Sequence, residues 1–164
     1  MPLLSPEINI LEKICTKVSK IIIRDFGEVE KLQVSKKGPG DFVTKTDKKV
    51  ENIIIEELEK ARPNYGFIAE ESGQNINESE FNWVIDPIDG TSNFMHGIPH
   101  FAVSIALEKK GEVISGIICD PIKNETFYAE KVEDRTSIIE GYGSLQEKIL
   151  RKLLVFMVVR QWLT

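Results

Sequence analysis

Cysteine and histidine are scarce in this sequence. Its 164 residues contain two of each, and that scarcity removes several functions at once. Cys15 and Cys119 cannot build a disulfide framework, and they suit a reducing compartment in which neither need be paired. His96 and His100 have the i,i+4 spacing of a zinc pair. Gly97 and Pro99 lie between them and break the helix such a pair needs, so a surface or packing role is expected. Ser72 and Ser104 have no histidine arrangement that would make either a nucleophile. Long apolar runs are missing too: the longest, Leu153–Val159, falls well short of a membrane span. So is an excess of positive charge. Lys plus Arg number 21 against 26 Asp plus Glu, a net charge of −5 that argues against a general nucleic-acid binder. The opening MPLLSPEINILEK lacks the basic and apolar regions of a secretory leader, so the expected location is cytoplasmic.

What is present reads as folded. Apolar residues at 41% and charged residues at 29% place the chain outside the disordered class, and its length suits one domain with a sizeable core. A first helix is expected from Ser5 as cap, with Pro6 and Glu7 in its first turn. Ile8, Leu11, Cys15, Val18, Ile21 and Ile22 make its apolar face, and Gly27 is expected to end it. On that face Cys15 is a core thiol. Val34–Asp41 reads as a loop or hairpin. A second helix follows, capped by Thr46, with Asp47 in its first turn. Val50, Ile53, Ile54 and Leu58 form its stripe, and Pro63-Asn64 closes it.

The period then changes to that of strands. Phe67–Ala69, Phe81–Ile85, Phe101–Leu107, Val113–Ile118 and Thr126–Ala129 are expected strands, the last three too closely connected for crossover helices. Two helices followed by several strands give an α+β fold with an antiparallel meander. Gly141–Val159 offers a helix without a clean apolar stripe.

The chemistry concentrates in Trp83–Phe94, WVIDPIDGTSNF, where an apolar strand runs directly into Asp86, Pro87, Ile88, Asp89, Gly90 and Thr91. Carboxylates at the end of a buried strand are costly unless something positive compensates them. Asp86, Asp89 and the Ile88 carbonyl are hard oxygen donors suited to Mg²⁺ or Mn²⁺. Thr91 lies at a potential helix start, which is an anion site. Spacing alone fits equally a tight turn with two solvated aspartates. Two further acidic groups, Glu70-Glu71-Ser72 after a short strand and Asp41 with Asp47 flanking FVTKT, could converge on the same cations.

Three strings, DFVTKTDKKVE (41–51), AEES (69–72) and WVIDPIDGTSNF (83–94), resemble in order the signature segments of the inositol monophosphatase family. Its wider superfamily comprises lithium-sensitive, metal-dependent phosphatases. The resemblance runs from the first helix to about Lys131. It implies N-terminal helices packed on an antiparallel sheet, as in the sugar-phosphatase fold, and Mg²⁺ as cofactor. It implies that Glu70 binds the first metal and orients the attacking water, that Asp86 bridges two metals, and that Ile88 offers its carbonyl to the first. Asp89 would contact the second metal and lie near substrate. Gly90 and Thr91 would give backbone N–H groups to the phosphate, with the Thr91 hydroxyl on the water and Asp47 paired to Thr91. Lys36 would sit in a loop near the phosphate. The implied substrate is inositol 1-phosphate or a related phosphate monoester, attacked by a metal-activated water, and a homodimer is compatible with the intact fold.

Members of that family are nearly twice as long, with a C-terminal α/β domain bearing a WDxAAG segment. This sequence has no WD pair, and Trp162 is followed by Leu163. The expected division is therefore a metal-binding domain over 1–131 and a tail over 132–164 without family character. A reading-frame change near Val132 is the expected origin of that tail, and weak or absent turnover the expected consequence. The competing readings are a nucleotide or sugar bisphosphate phosphatase of the same superfamily, a non-catalytic RNA-linked regulatory protein, and a defunct gene fragment.

Overall fold

The computed structural model describes residues 4–32, 40–132 and 135–139. Lys36, most of the Val34–Asp41 segment and the Gly141–Val159 segment lie outside these. Helix α1 spans Pro6–Leu32 and α2 spans Gly40–Ala61. Strands β1 (Gly66–Ala69), β2 (Gly73–Asn75) and β3 (Phe81–Asp89) follow, then the short helix α3 (Thr91–Met95). Strands β4 (Ala102–Lys109), β5 (Glu112–Asp120), β6 (Glu125–Val132) and β7 (Arg135–Ile139) complete the order. One sheet carries all seven strands in the order β2-β1-β3-β4-β5-β6-β7.

The expected α+β class is observed. From β3 to β7 every neighbour is antiparallel, as the short connections require. The exception is β1, which pairs with β3 in parallel, so the sheet is mixed. The β2 strand that makes this geometry possible was not expected, because Gly73-Gln74-Asn75 carries no apolar alternation.

Helix α1 begins as expected, with the Ser5 hydroxyl accepting the Ile8 N–H at 3.2 Å. It does not stop at Gly27. Phe26 and Val29 are buried and extend the stripe of Leu11, Ile14, Cys15, Val18 and Ile22, so packing outweighs the glycine's cost of about 1 kcal/mol. Helix α2 also begins earlier than expected. Thr46 is an interior, buried residue and not a cap: its hydroxyl bonds to the Asp25 carboxylate and to the Phe42 carbonyl, both at 3.2 Å. Asp47 consequently lies well inside α2 and not in its first turn. The two helices are joined at their far ends by Arg62–Glu7 at 2.7 Å and Lys17–Glu57 at 3.1 Å.

Both helices pack on one face of the sheet, against Trp83, Ile85, Ile88, Val103, Ile105, Leu107 and Ile117. Cys15 and Cys119 are buried, unpaired thiols in this core, as expected of Cys15. Three rings fix the end of the core beneath α3. Phe26, Phe94 and Phe101 meet pairwise at centroid distances of 4.9–5.4 Å. They hold α3 between α1 and the start of β4.

Gly27 is exposed and an added methyl would meet nothing within 4 Å. Gly27→Ala should therefore stabilise the chain by about 0.5–1 kcal/mol, read as a higher urea midpoint. A lower midpoint would contradict a helix that continues through residue 27.

Candidate active site

Strand pairing sets the geometry. In the parallel register Ala69 lies beside Ile85, so the next residues, Glu70 and Asp86, leave adjacent strands at the same end of the sheet. Asp86 pairs with Ser104 and Asp89 with Ala102, three residues on β3 against two on β4. The extra residue is a β-bulge, and it sits where Pro87 has no N–H to give the ladder. It has a chemical consequence. In a regular strand, residues three apart face opposite sides of the sheet. Across this bulge both aspartates oppose same-face residues of β4, so both lie on one side, while Ile88 is buried among the helices.

The chain turns at once after Asp89. Gly90 has φ 98°, and an ideal Cβ there would lie 3.0 Å from the His100 carbonyl oxygen and 3.2 Å from Phe101 Cβ. No other residue meets both conditions. Thr91 then opens α3, as the sequence suggests, and its hydroxyl donates to the Ile88 carbonyl at 2.9 Å. The threonine proton is thus directed at the Ile88 carbonyl. His96 and His100 are exposed, with His96 Nδ1 at 2.7 Å from the Ser92 carbonyl, in keeping with the surface role expected of them.

Asp47 approaches from α2. It is buried, and its Oδ1 has no hydrogen-bond partner. Burial, followed by the charges of Glu71, Glu70 and Glu51, pushes its carboxyl up from 3.8 to about 7. Three carboxylates are thus close enough to Asp47 to oppose its ionisation. Glu71 belongs to the acidic group expected to converge there, whereas Glu51 was not among the expected site residues. A signal for Glu51 did exist: it is a charged residue in the buried stripe between Val50 and Ile54.

The site is gathered but not clamped. Among the described residues, no three His, Cys, Asp or Glu side chains close on a common point as a ready metal cage. The donor set nonetheless fits a hard divalent cation. It is all oxygen and strongly anionic, and its buried aspartate oxygen lacks a partner.

Comparison with known proteins places the chain in a family. A sequence profile of the inositol monophosphatase family matches residues 3–151. The chain is 50% identical over 149 residues to inositol-1-monophosphatase of Mesorhizobium japonicum, covering 87% of this chain and 56% of that protein. It is 39% identical over 127 residues to Nus factor SuhB of Escherichia coli K12, covering 77% of this chain and 48% of that protein. Among solved structures it resembles the extragenic suppressor protein suhB of Bartonella henselae. The TM-score is 0.69 at 47% identity, covering 82% of this chain and 52% of that one. The chain spans about half the length of the curated relatives it matches.

The raised Asp47 carboxyl has a measurable consequence. Its pKa is about 7 when folded and near 3.8 when exposed, so folding takes up a proton between those values. Its contribution to stability therefore falls as pH rises through that window and stays lost above it. Without divalent metal, the urea midpoint should drop between pH 5 and pH 8, and Asp47→Asn should reduce the drop. An unchanged pH dependence in Asp47→Asn would contradict the like-charge cluster.

Proposed function

The chain belongs to the inositol monophosphatase family, and we propose on that basis that it carries the metal- and water-holding part of a Mg²⁺-dependent phosphomonoesterase acting on inositol 1-phosphate. One observation carries the reading: parallel β1 and β3 bring Glu70 and Asp86 to one end of the sheet, where Asp47 of α2 is raised to about 7 by its burial and by the charges of Glu71, Glu70 and Glu51. Bound Mg²⁺ would neutralise the phosphate ester, acidify a coordinated water and stabilise the leaving alkoxide.

The protein groups have distinct tasks in this proposal. Glu70, Asp86, Asp89 and the Ile88 carbonyl are the oxygen ligands, and Glu70 also orients the attacking water. Asp47 accepts a proton from that water or helps to neutralise the cations. The Thr91 hydroxyl has its own proton committed to Ile88, so it meets the water with lone pairs only and fixes its direction. The Ile88 carbonyl retains a second lone pair for an ion. Gly90 and Thr91 present the first N–H groups of α3, which have no intrahelical partner, to the phosphate. Lys36 is assigned to the phosphate loop on resemblance alone.

Residues 1–131 hold every group named here, and 132–164 are given no part in the chemistry. The Nus-factor relatives raise an RNA-linked reading, but a chain with net charge −5 has no general electrostatic pull on RNA, so the hydrolase reading stands first. A cytoplasmic enzyme fits the absence, among the described residues, of any helix long and apolar enough to cross a membrane.

The test is Mg²⁺ dependence of the purified chain. Mg²⁺ should raise its melting temperature saturably, and Asp86→Asn should remove most of that rise. Phosphate release from inositol 1-phosphate should be slow, Mg²⁺-dependent and reduced about 100-fold in Glu70→Gln. Equal Mg²⁺ responses in wild type and Asp86→Asn, or hydrolysis that persists in EDTA, would overturn the proposal.

A further inference from the structure

Glu70 sits in an exposed place for a residue that must hold a fixed position. Ala69 of β1 pairs with Gly73 of β2, so Glu70, Glu71 and Ser72 form the three-residue tip of a hairpin. Gly73 at φ 80° closes it. All three tip residues are exposed, and β2 is a three-residue edge strand. Hairpin tips of this kind are ordinarily among the least restrained parts of a fold.

This tip is restrained from behind. Glu51 on α2 is 1% exposed, and its two carboxylate oxygens accept consecutive backbone N–H groups. Oε2 takes that of Glu71 and Oε1 that of Ser72, each at 2.8 Å. A fourth carboxylate in an acidic cluster is electrostatically unfavourable, and it adds to the forces that raise Asp47. An apolar residue would fill the position between Val50 and Ile54 without that cost. What an apolar residue cannot do is accept two adjacent N–H groups. Glutamine would supply one acceptor oxygen and turn an NH₂ donor against the second N–H. A carboxylate is thus the side chain that satisfies both.

We propose that Glu51 is a positioning residue: its buried carboxylate pins the hairpin tip bearing Glu70 to α2, one helical turn from Asp47. It thereby sets the spacing between the β1–β2 and α2 contributions to the site. The proposal rests on the reading that Glu70 is a metal ligand. Groups that orient a metal ligand typically matter about 10- to 100-fold in metal affinity when removed.

Calorimetric titration of Mg²⁺ into the full chain, wild type and Glu51→Gln, tests this. Hydrogen exchange at the Glu71 and Ser72 amides is measured in parallel. Wild type should bind Mg²⁺ and protect both amides despite the exposure of the tip. In Glu51→Gln the Mg²⁺ dissociation constant should rise about 10-fold and protection at the two amides should fall. At a temperature well below the metal-free melting temperature of both variants, where loss of stability leaves them folded, raising Mg²⁺ should restore phosphate release in Glu51→Gln but not in Glu70→Gln. Glu51→Asp keeps the charge but shortens the reach, and it should weaken Mg²⁺ in the same direction if Glu51→Gln does not fold. Wild-type binding with unchanged affinity in the folded Glu51 variants, or unprotected amides in wild type, would overturn the positioning role. Absence of Mg²⁺ binding in wild type would instead overturn the metal-site reading on which it rests.

Discussion

The burial of one carboxylate among others dominates this fold's functional end. Asp47, Glu51, Glu70 and Glu71 come from α2 and the β1–β2 tip, and burial, followed by the charges of the other three, raises the Asp47 carboxyl to about 7. Buried like charges are tolerated when another charge neutralises them or when protons bind instead. The protein alone takes the second course, and a divalent cation would supply the first.

The rest of the architecture serves to bring these groups to one end of the sheet. Parallel pairing of β1 with β3 sets Glu70 beside Asp86, which an antiparallel arrangement in this order would have sent to opposite ends. The bulge at Pro87 turns Asp86 and Asp89 to a common side. Gly90 then reverses the chain against the His100 carbonyl, and the Phe26, Phe94 and Phe101 rings anchor the short helix that follows. Aromatic packing thus fixes the position of Thr91, although none of these rings has chemistry of its own.

Much of this was legible in the sequence, and the failures share a cause. Amphipathic stripes located both helices, and short connections identified the meander, because those signals are local. Gly27 and Thr46 misled as helix boundaries because tertiary contacts decided them: Phe26 and Val29 carry α1 onward, and Asp25 recruits the Thr46 hydroxyl inside α2. The parallel β1–β3 pair could not be read at all, since pairing direction depends on a β2 strand with no apolar pattern. At the site, the motif WVIDPIDGTSNF gave Asp86, Asp89, Gly90 and Thr91 their places on the backbone. That the Thr91 hydroxyl donates to the Ile88 carbonyl is a local backbone contact that no side-chain pattern reveals. Glu51 was overlooked because its partners are backbone N–H groups twenty residues away, which no side-chain pattern reveals.

The account turns on whether a cation supplies the charge these carboxylates lack. Calorimetric titration of Mg²⁺ into the chain, in buffers of different ionisation enthalpy, reads both the binding and the protons it displaces. With Asp47 near 7, binding should release about 0.9 proton at pH 6 and close to none at pH 8.5. Absence of binding, or proton release that does not change between the two pH values, would contradict it.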